Sequence, residues 1–441
     1  MKKKYKIICI LMCLSLIIPI VPNIKNSEVN AEVLEDTEVL EDTEVLEDTE
    51  VLEDAEVLED VERHIEASTL LEQSTPLDVE PMYESDEWNN DESDKVEYPI
   101  DSFSEDWENY TSHLEMIEAC TIPEDILKEM KTEDLVEVIL DYPLVGDIYA
   151  YDSIQEGMIA LTSQCNGVQE LLERDDAASV LLERYQDTEL PKESDETIDS
   201  FYEGNTPIVL EGMLAQKEIV DKMDEEEIQV LLEEVESKTQ EKESIELYDG
   251  EEYTFYEIID ENGMAEELDI EVEIEENFES LSDGQVQGVN TTTYVKTPNG
   301  TKVKVTKYTD ISATKKSQLN RYYKKSYPLA TYLATSTKKY NCHSYAWYSR
   351  STSNTCWMDS PKAYVSDKSY KYVGKSPTAN SQIVVYKYQK APVDSWIHSG
   401  VVYSYSSKKI TSKWGQAPLM RHSVGYSPYY GNYNVIHYYK K

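Results

Sequence analysis

From about residue 106 to 240, apolar positions recur at three- and four-residue spacing, which predicts short amphipathic helices. Thr121-Ile-Pro-Glu124 reads as a capping box with proline in the first turn, ahead of Ile126, Leu127 and Met130. Thr132 can cap the next segment, whose Leu135, Val136, Val138, Ile139 and Leu140 run up to Pro143. Further helices are predicted over 153–163, 167–174 with Asn166 as cap, 176–186, 207–222 entered at Pro207, and 225–240. Short helices joined by short turns suggest a bundle or array. The period then changes. Tyr253, Phe255 and Ile258, followed by Ile270, Val272 and Ile274, show strand-like alternation. Residues 293–297 and 301–305 flank Pro298-Asn299-Gly300, a hairpin signal in which Asn-Gly is the preferred type I′ pair. Helical pattern returns over about 312–338, broken at Pro328. Strand-like runs follow at 382–388, 398–405, 409–414 and 435–439. The expected class is α+β.

Two stretches carry neither period. Lys2, Lys3, Lys4 and Lys6 precede an apolar run from Ile7 to Val21, and Val29-Asn30-Ala31 has the small-residue form of a cleavage site. This describes a secretory signal peptide over 1–31, too short for a comfortable transmembrane span. The expected mature protein is exported, extracellular or cell-wall associated, and not held in a membrane. Residues 32–61 are five copies of Glu-Val-Leu-Glu-Asp followed by Thr, Thr, Thr, Ala and Val. A six-residue period fits no helical stripe, and its unpaired carboxylates repel one another. It reads as a solvated spacer, and residues 62–105 continue acidic and pattern-poor.

Charge divides the chain further. Residues 291–441 hold 24 Lys and Arg against four Asp and no Glu, a net of +20, whereas the preceding residues net −68. Such a reversal marks a boundary near 290 and implies attraction between the halves. The expected layout is a signal (1–31), an acidic repeat and linker (32–105), an acidic helical domain (106–244), an acidic connector (245–290) and a basic domain (291–441). Beyond the signal, Cys120, Cys165, Cys342 and Cys356 are too few for a disulfide scaffold, although Cys120 and Cys165 share one helical region and can pair.

Candidate chemistry is concentrated in the basic half. Cys342, in Tyr340-Asn-Cys-His-Ser-Tyr-Ala-Trp347, stands where irregular chain turns into helix, a place that favours thiolate. His398 opens a β-branched run and is the candidate base. An orienting third group is sought on the neighbouring strand, with Ser412 first and His422 next. Asn341 and Tyr332 are candidate oxyanion donors beside the Cys342 amide. His343 reads as packing or support, and His113 as an ordinary surface or half-buried histidine. Cys342, His343, His398 and His422 are zinc-ligand types, but adjacent Cys-His suits one tetrahedral ion poorly. Neither metal nor cofactor is expected. This half also holds 22 of the 34 tyrosines, interleaved with lysines, a composition suited to an anionic wall polymer. Nucleic acid is not an expected partner.

Asn341-Cys-His-Ser-Tyr-Ala-Trp347, the run Gln382-Ile-Val-Val-Tyr386, His398-Ser-Gly-Val-Val402 and Ser412-Lys-Trp-Gly415 resemble the NlpC/P60 and CHAP branch of papain-like cysteine peptidases and amidases. The resemblance covers about 328–425 and implies a papain-like fold, with Cys342 as nucleophile, His398 as base and Ser412 near the third position. It departs at Asn341-Cys-His-Ser, where Asp-Cys-Ser-Gly is usual, and at Ser381-Gln382, where Gly-Asp is usual. The implied activity is thiol-dependent hydrolysis of an amide bond, typically in cell-wall peptide. The rival expectation is a non-catalytic surface or polymer binder with a vestigial fold. In either case the acidic half is expected to contact, and mask, the basic half.

Overall fold

A computed structural model describes residues 77–88, 96–192, 195–265, 267–268, 270, 290–390, 393–431 and 435–441. The expected signal segment, the hexad repeat, and Val272 and Ile274 of the expected alternation lie outside the described residues. The fold is α+β. Among the described residues no helix is long and apolar enough to cross a membrane.

Among the described residues, the α-helices of six residues or more are α1 (His113–Cys120), α2 (Glu124–Glu129), α3 (Thr132–Leu140), α4 (Ile154–Gln164), α5 (Asn166–Glu173), α6 (Ala177–Gln186), α7 (Ile198–Leu214), α8 (Glu225–Lys242), α9 (Thr254–Glu261) and α10 (Ala313–Ser326). The capping box lies at Ser112 and Glu115, which exchange side-chain and backbone bonds at the start of α1. Thr121 does not cap α2; its hydroxyl donates to the Ile117 carbonyl at the end of α1. Thr132 and Asn166 are first residues of their helices rather than caps. Asn166 instead ties its carboxamide to both backbone groups of Ile122. Pro207 does not open a helix but lies inside α7, which starts nine residues earlier under a Thr197 cap. The Tyr253–Ile258 alternation proves helical in α9, where Phe255, Ile258 and Ile259 form a buried face.

The strands are β1 (Thr291–Lys296), β2 (Lys302–Lys307), β3 (Thr331–Ala334), β4 (Lys371–Gly374), β5 (Ile383–Lys390), β6 (Val393–Ser404), β7 (Lys409–Lys413), β8 (Leu419–Ser423) and β9 (Val435–Lys440). β1 and β2 form the expected hairpin, but not with a type I′ turn. Gly300 donates to Thr297, so Pro298 and Asn299 occupy the centre and only Gly300 takes positive φ. The other seven strands make one antiparallel sheet in the order β3-β8-β7-β6-β5-β9-β4. Alternation along β5 sends Ile383 and Val385 into one apolar cluster with Trp347, and Val384 and Tyr386 into another shared with the helices.

The larger cluster runs from Trp88 to Tyr438, so the acidic and basic halves share a core. Tyrosines make the joint, giving ring area to the core and a hydroxyl to the opposite backbone. Tyr322 donates to the Pro143 carbonyl at 3.2 Å and Tyr323 to that of Gly146 at 2.8 Å. Tyr151 donates to Pro428 at 3.0 Å, and Tyr429 returns a bond to the Ala150 carbonyl. His113 is fully buried here, its Nδ1 2.9 Å from the Ser427 carbonyl and its Nε2 3.6 Å from Asp147. A buried ion pair also crosses: Lys315 donates to Glu251 at 3.0 Å and to the Tyr149 hydroxyl at 2.8 Å. Removing one member leaves the other charge in the core. Lys315→Ala is therefore expected to cost about 3–5 kcal/mol, and Lys315→Met with Glu251→Leu much less, as read from urea-denaturation midpoints of the full chain.

Candidate active site

Asn341 opens the site as an N-cap: its Oδ1 accepts the Ser344 N–H at 3.0 Å. Cys342 and His343 form the first helical residues, and the turn widens at once into a π-helical run, Ser344–Tyr348. Such widened turns cluster at functional sites. The rest of the Asn341 carboxamide is also engaged. Oδ1 accepts from Met358 N–H at 3.2 Å, while Nδ2 donates to the Met358 carbonyl at 2.8 Å and to Asp152 at 3.0 Å. Both of its N–H bonds are spent, so in this state Asn341 holds the turn and offers nothing to an oxyanion.

The Cys342 sulfur is buried and accepts the backbone N–H groups of Ser399 and His343. Those donors favour thiolate, but burial and then the Asp152 carboxylate outweigh them and push the thiol well above its ordinary range. Asp152 comes from the acidic half. Its carboxylate, the Cys342 sulfur and a His343 ring nitrogen lie within 4.8 Å of one another. Burial, then Glu156 and Asp359, raise Asp152 as well. Lys413 is buried nearby, its ammonium donating to the carbonyls of Thr337, Gly415 and Ala417 at 3.0, 2.6 and 2.6 Å. All three donors are satisfied, yet burial brings it down to about 7.

The covering segment is fixed by backbone contact. Val145–Ala150 is a 3₁₀ helix whose end meets the turn after β7, where the Gln416 N–H donates to Tyr149 at 3.0 Å. Gly415 has φ +44°, and a Cβ there would lie 2.4 Å from the Tyr151 carbonyl oxygen. Only glycine permits this approach.

His398 is not hydrogen-bonded to Cys342. Its ring is fully buried and stacks on Tyr429 at 3.6 Å between centroids, with Tyr386 edge-on at 5.2 Å. Neither ring nitrogen has a hydrogen-bond partner. Strand alternation explains the placement. The next residue, Ser399, points to the Cys342 side, where its hydroxyl meets His343 Nδ1 at 2.8 Å and Trp347 Nε1 at 2.9 Å. His398 therefore points to the other face, as does Ser412. The β6–β7 register puts Ser412 beside Gly400, whose Cβ position is 3.4 Å from that of Ser412.

Ser412 bonds His422 Nε2 at 2.7 Å and accepts from Trp414 Nε1 at 3.1 Å; His422 Nδ1 donates to the Ser423 carbonyl at 2.8 Å. The two candidates for the third position thus pair with each other, away from the thiol. Tyr332 lies on edge strand β3, three strands from β6, with the Lys324 ammonium over its ring at 3.8 Å. The residues the structure gathers around the sulfur are Asp152, His343, Asn341, Ser399 and Lys413. Cys120, Cys165, Cys342 and Cys356 are all free and buried. Asp152 carries no sequence signal, being one of 88 acidic residues and 190 positions from Cys342.

No family model matches this chain, and neither the curated proteins nor the solved structures contain a match.

Burial lowers His113 to about 3 and His343 and His422 to about 4, and carries His398 well below its ordinary 6.5. Each folded value lies below the unfolded one, so the folded state prefers neutral imidazole. That contribution is complete above the unfolded pKa of 6.5 and is lost as pH falls towards the folded values. Asp147 and Asp152, raised on folding, act oppositely: their contribution is present below 3.8 and lost as pH rises through the raised values. Replacing His422 with Gln isolates one imidazole. It is expected to reduce the acid-side slope of stability between pH 6.5 and 4 by about 1.4 kcal/mol per pH unit, measured by urea denaturation across that range.

Proposed function

We propose that this protein is an exported thiol hydrolase of the papain-like, NlpC/P60 or CHAP type, latent in the packed state, which cuts an amide bond in cell-wall peptide once opened. The observation that carries the reading is the setting of Cys342. It sits at the head of a helical turn, with two backbone N–H groups on its sulfur, beside the central strand that bears His398. Those amides are the kind of donors that steady a thiolate and, after attack, an oxyanion.

Latency follows from what covers the site. Asp152 opposes ionisation of the thiol, and the Tyr149–Asp152 stretch closes over it through the Gly415 contact. His398 is stored against Tyr429 with both nitrogens bare. Burying an imidazole without hydrogen bonds is costly, and because the ring lies on the other face of the sheet, bringing it to Cys342 requires β6 itself to shift when the site opens. In the opened form Cys342 attacks the carbonyl carbon, His398 takes the thiol proton and returns it to the leaving amine, and water then releases the acyl group.

A second reading, a surface binder without catalysis, draws support from the same separation of thiol and imidazole. It also draws on the exposed rings of Tyr294, Tyr372, Tyr403 and Tyr405 among surface lysines, which suit an anionic polymer carrying sugars.

Limited proteolysis of the full chain separates the two readings. Intact protein is expected to alkylate slowly at Cys342 and to leave wall-peptide fragments uncut. Nicked protein should label at Cys342 below pH 8 and release new amino termini, with both properties lost in His398→Ala and the hydrolysis lost in Cys342→Ala. Gly415→Ala, which wedges the Tyr151 backbone away, should raise Cys342 labelling without nicking, by at least about tenfold for each 1.4 kcal/mol of opening. Fragments left uncut by every form, together with ordinary thiol reactivity after nicking, would establish the binder.

A further inference from the structure

The cluster over Cys342 has a second chemical meaning that does not depend on amide hydrolysis. Asp152, Cys342 and His343 each offer one ligand atom, and the three atoms lie within 4.8 Å of one another. We propose that these residues form a site for one thiophilic divalent transition-metal ion, of the zinc or cobalt class, assembled across the joint between the halves.

The surroundings of the three residues argue for it. His343 Nε2 lies 2.9 Å from the Trp396 carbonyl, which can only accept, so Nε2 carries the hydrogen and the lone pair rests on Nδ1. A backbone carbonyl orienting the far nitrogen is the usual support of a metal-binding histidine. Nδ1 at present accepts from the Ser399 hydroxyl at 2.8 Å, a neutral bond that a metal would replace. Asp152 is held by the Asn341 amide at 3.0 Å, the corresponding support for a ligating carboxylate. The sulfur already accepts the N–H groups of Ser399 and His343, which stabilise a metal-bound thiolate.

Charge favours the same conclusion. Three carboxylates, Asp152, Glu156 and Asp359, stand around the site against one buried ammonium, Lys413. A divalent cation neutralises one thiolate and one carboxylate exactly once each. On binding, the sulfur–hydrogen bond breaks, the sulfur–metal bond forms and the proton leaves to solvent. Cys, His and Asp are all ordinary zinc ligands, and three protein ligands leave one exchangeable position of a tetrahedron. His398 and Ser412-bound His422 face away and take no part. Although Cys342 and His343 are adjacent in the chain, this turn brings their ligand atoms within 4.8 Å of each other.

The test uses Co²⁺ as a spectroscopic probe and Zn²⁺ as its competitor on the full chain. The many surface carboxylates also attract cobalt, but only a thiolate ligand produces sulfur-to-cobalt charge-transfer absorption in the near ultraviolet. One equivalent of Co²⁺ is expected to produce that band, and Zn²⁺ to abolish it. Cys342→Ser should remove it. Asp152→Asn and His343→Gln should each weaken binding on the order of 10–100-fold or more. Zn²⁺ should also protect Cys342 from iodoacetamide in denaturant-free protein, with Cys356 as the internal control, a readout needing no variant. The proposal is overturned if no charge-transfer band forms, if the band survives in Cys342→Ser, or if Asp152→Asn binds as tightly as the unaltered chain. Unchanged alkylation of Cys342 in saturating Zn²⁺ would overturn it as well.

Discussion

The halves come close where the Tyr151 carbonyl passes Gly415, a residue at φ +44° with no side chain to obstruct it. Much of the site depends on this one contact. It carries Asp152 onto the Cys342 sulfur, and it brings Ala150 within reach of the Tyr429 hydroxyl. Tyr429 in turn supplies the ring on which His398 lies. A single seating therefore sets the ionisation of the thiol and steadies the ring beneath the imidazole. The state of the thiol could not be inferred from the basic half alone, because it is imposed by a carboxylate 190 positions away in the chain.

The local grammar of the chain was legible to an uneven degree. Helices α4, α5, α6 and α8 fall within a residue or two of their expected limits, because apolar spacing and burial agree there. Strands β5, β7 and β9 were also visible as β-branched or aromatic runs, and so was β6, except that it begins at Val393, which puts His398 inside the strand and not at its mouth. The β6–β7 ladder itself stops at Val401–Thr411; only its register, extended, sets His398 across from Trp414, within the expected 413–415. Short edge strands β3 and β4 were not legible, since four residues carry too little pattern. Pro207 was misleading: proline favours a first turn, yet α7 accommodates it internally with Gly204 and Gly212 packed against Leu247 and Met158. The type of the β1–β2 turn was misjudged because Pro298 excludes the positive φ that a type I′ pair demands.

The candidate site was legible at Cys342, whose position at a helix head is as expected. It was not legible at Asp152, nor in the burial of the whole cluster. Element order along a chain cannot say which face of a strand a side chain takes. A one-residue difference, His398 against Ser399, moves an imidazole from one side of the sheet to the other. The charge reversal likewise identified two halves without saying how they meet. Long-range attraction of net charge is compatible with either loose association or a shared core, and here tyrosine rings and hydroxyls occupy the interface, with Lys315 and Glu251 as a buried exception.

The placement of Asp152 ahead of Cys342 in the chain has a consequence for biogenesis. Ribosomes make the covering segment first, so the Cys342 thiol emerges beside a segment already available to enclose it. Reversing that order by circular permutation would let the sulfur pass through an uncovered interval before its carboxylate neighbour arrived. The linear arrangement thus lets the thiol be enclosed as soon as it is made, simply by which end is translated first.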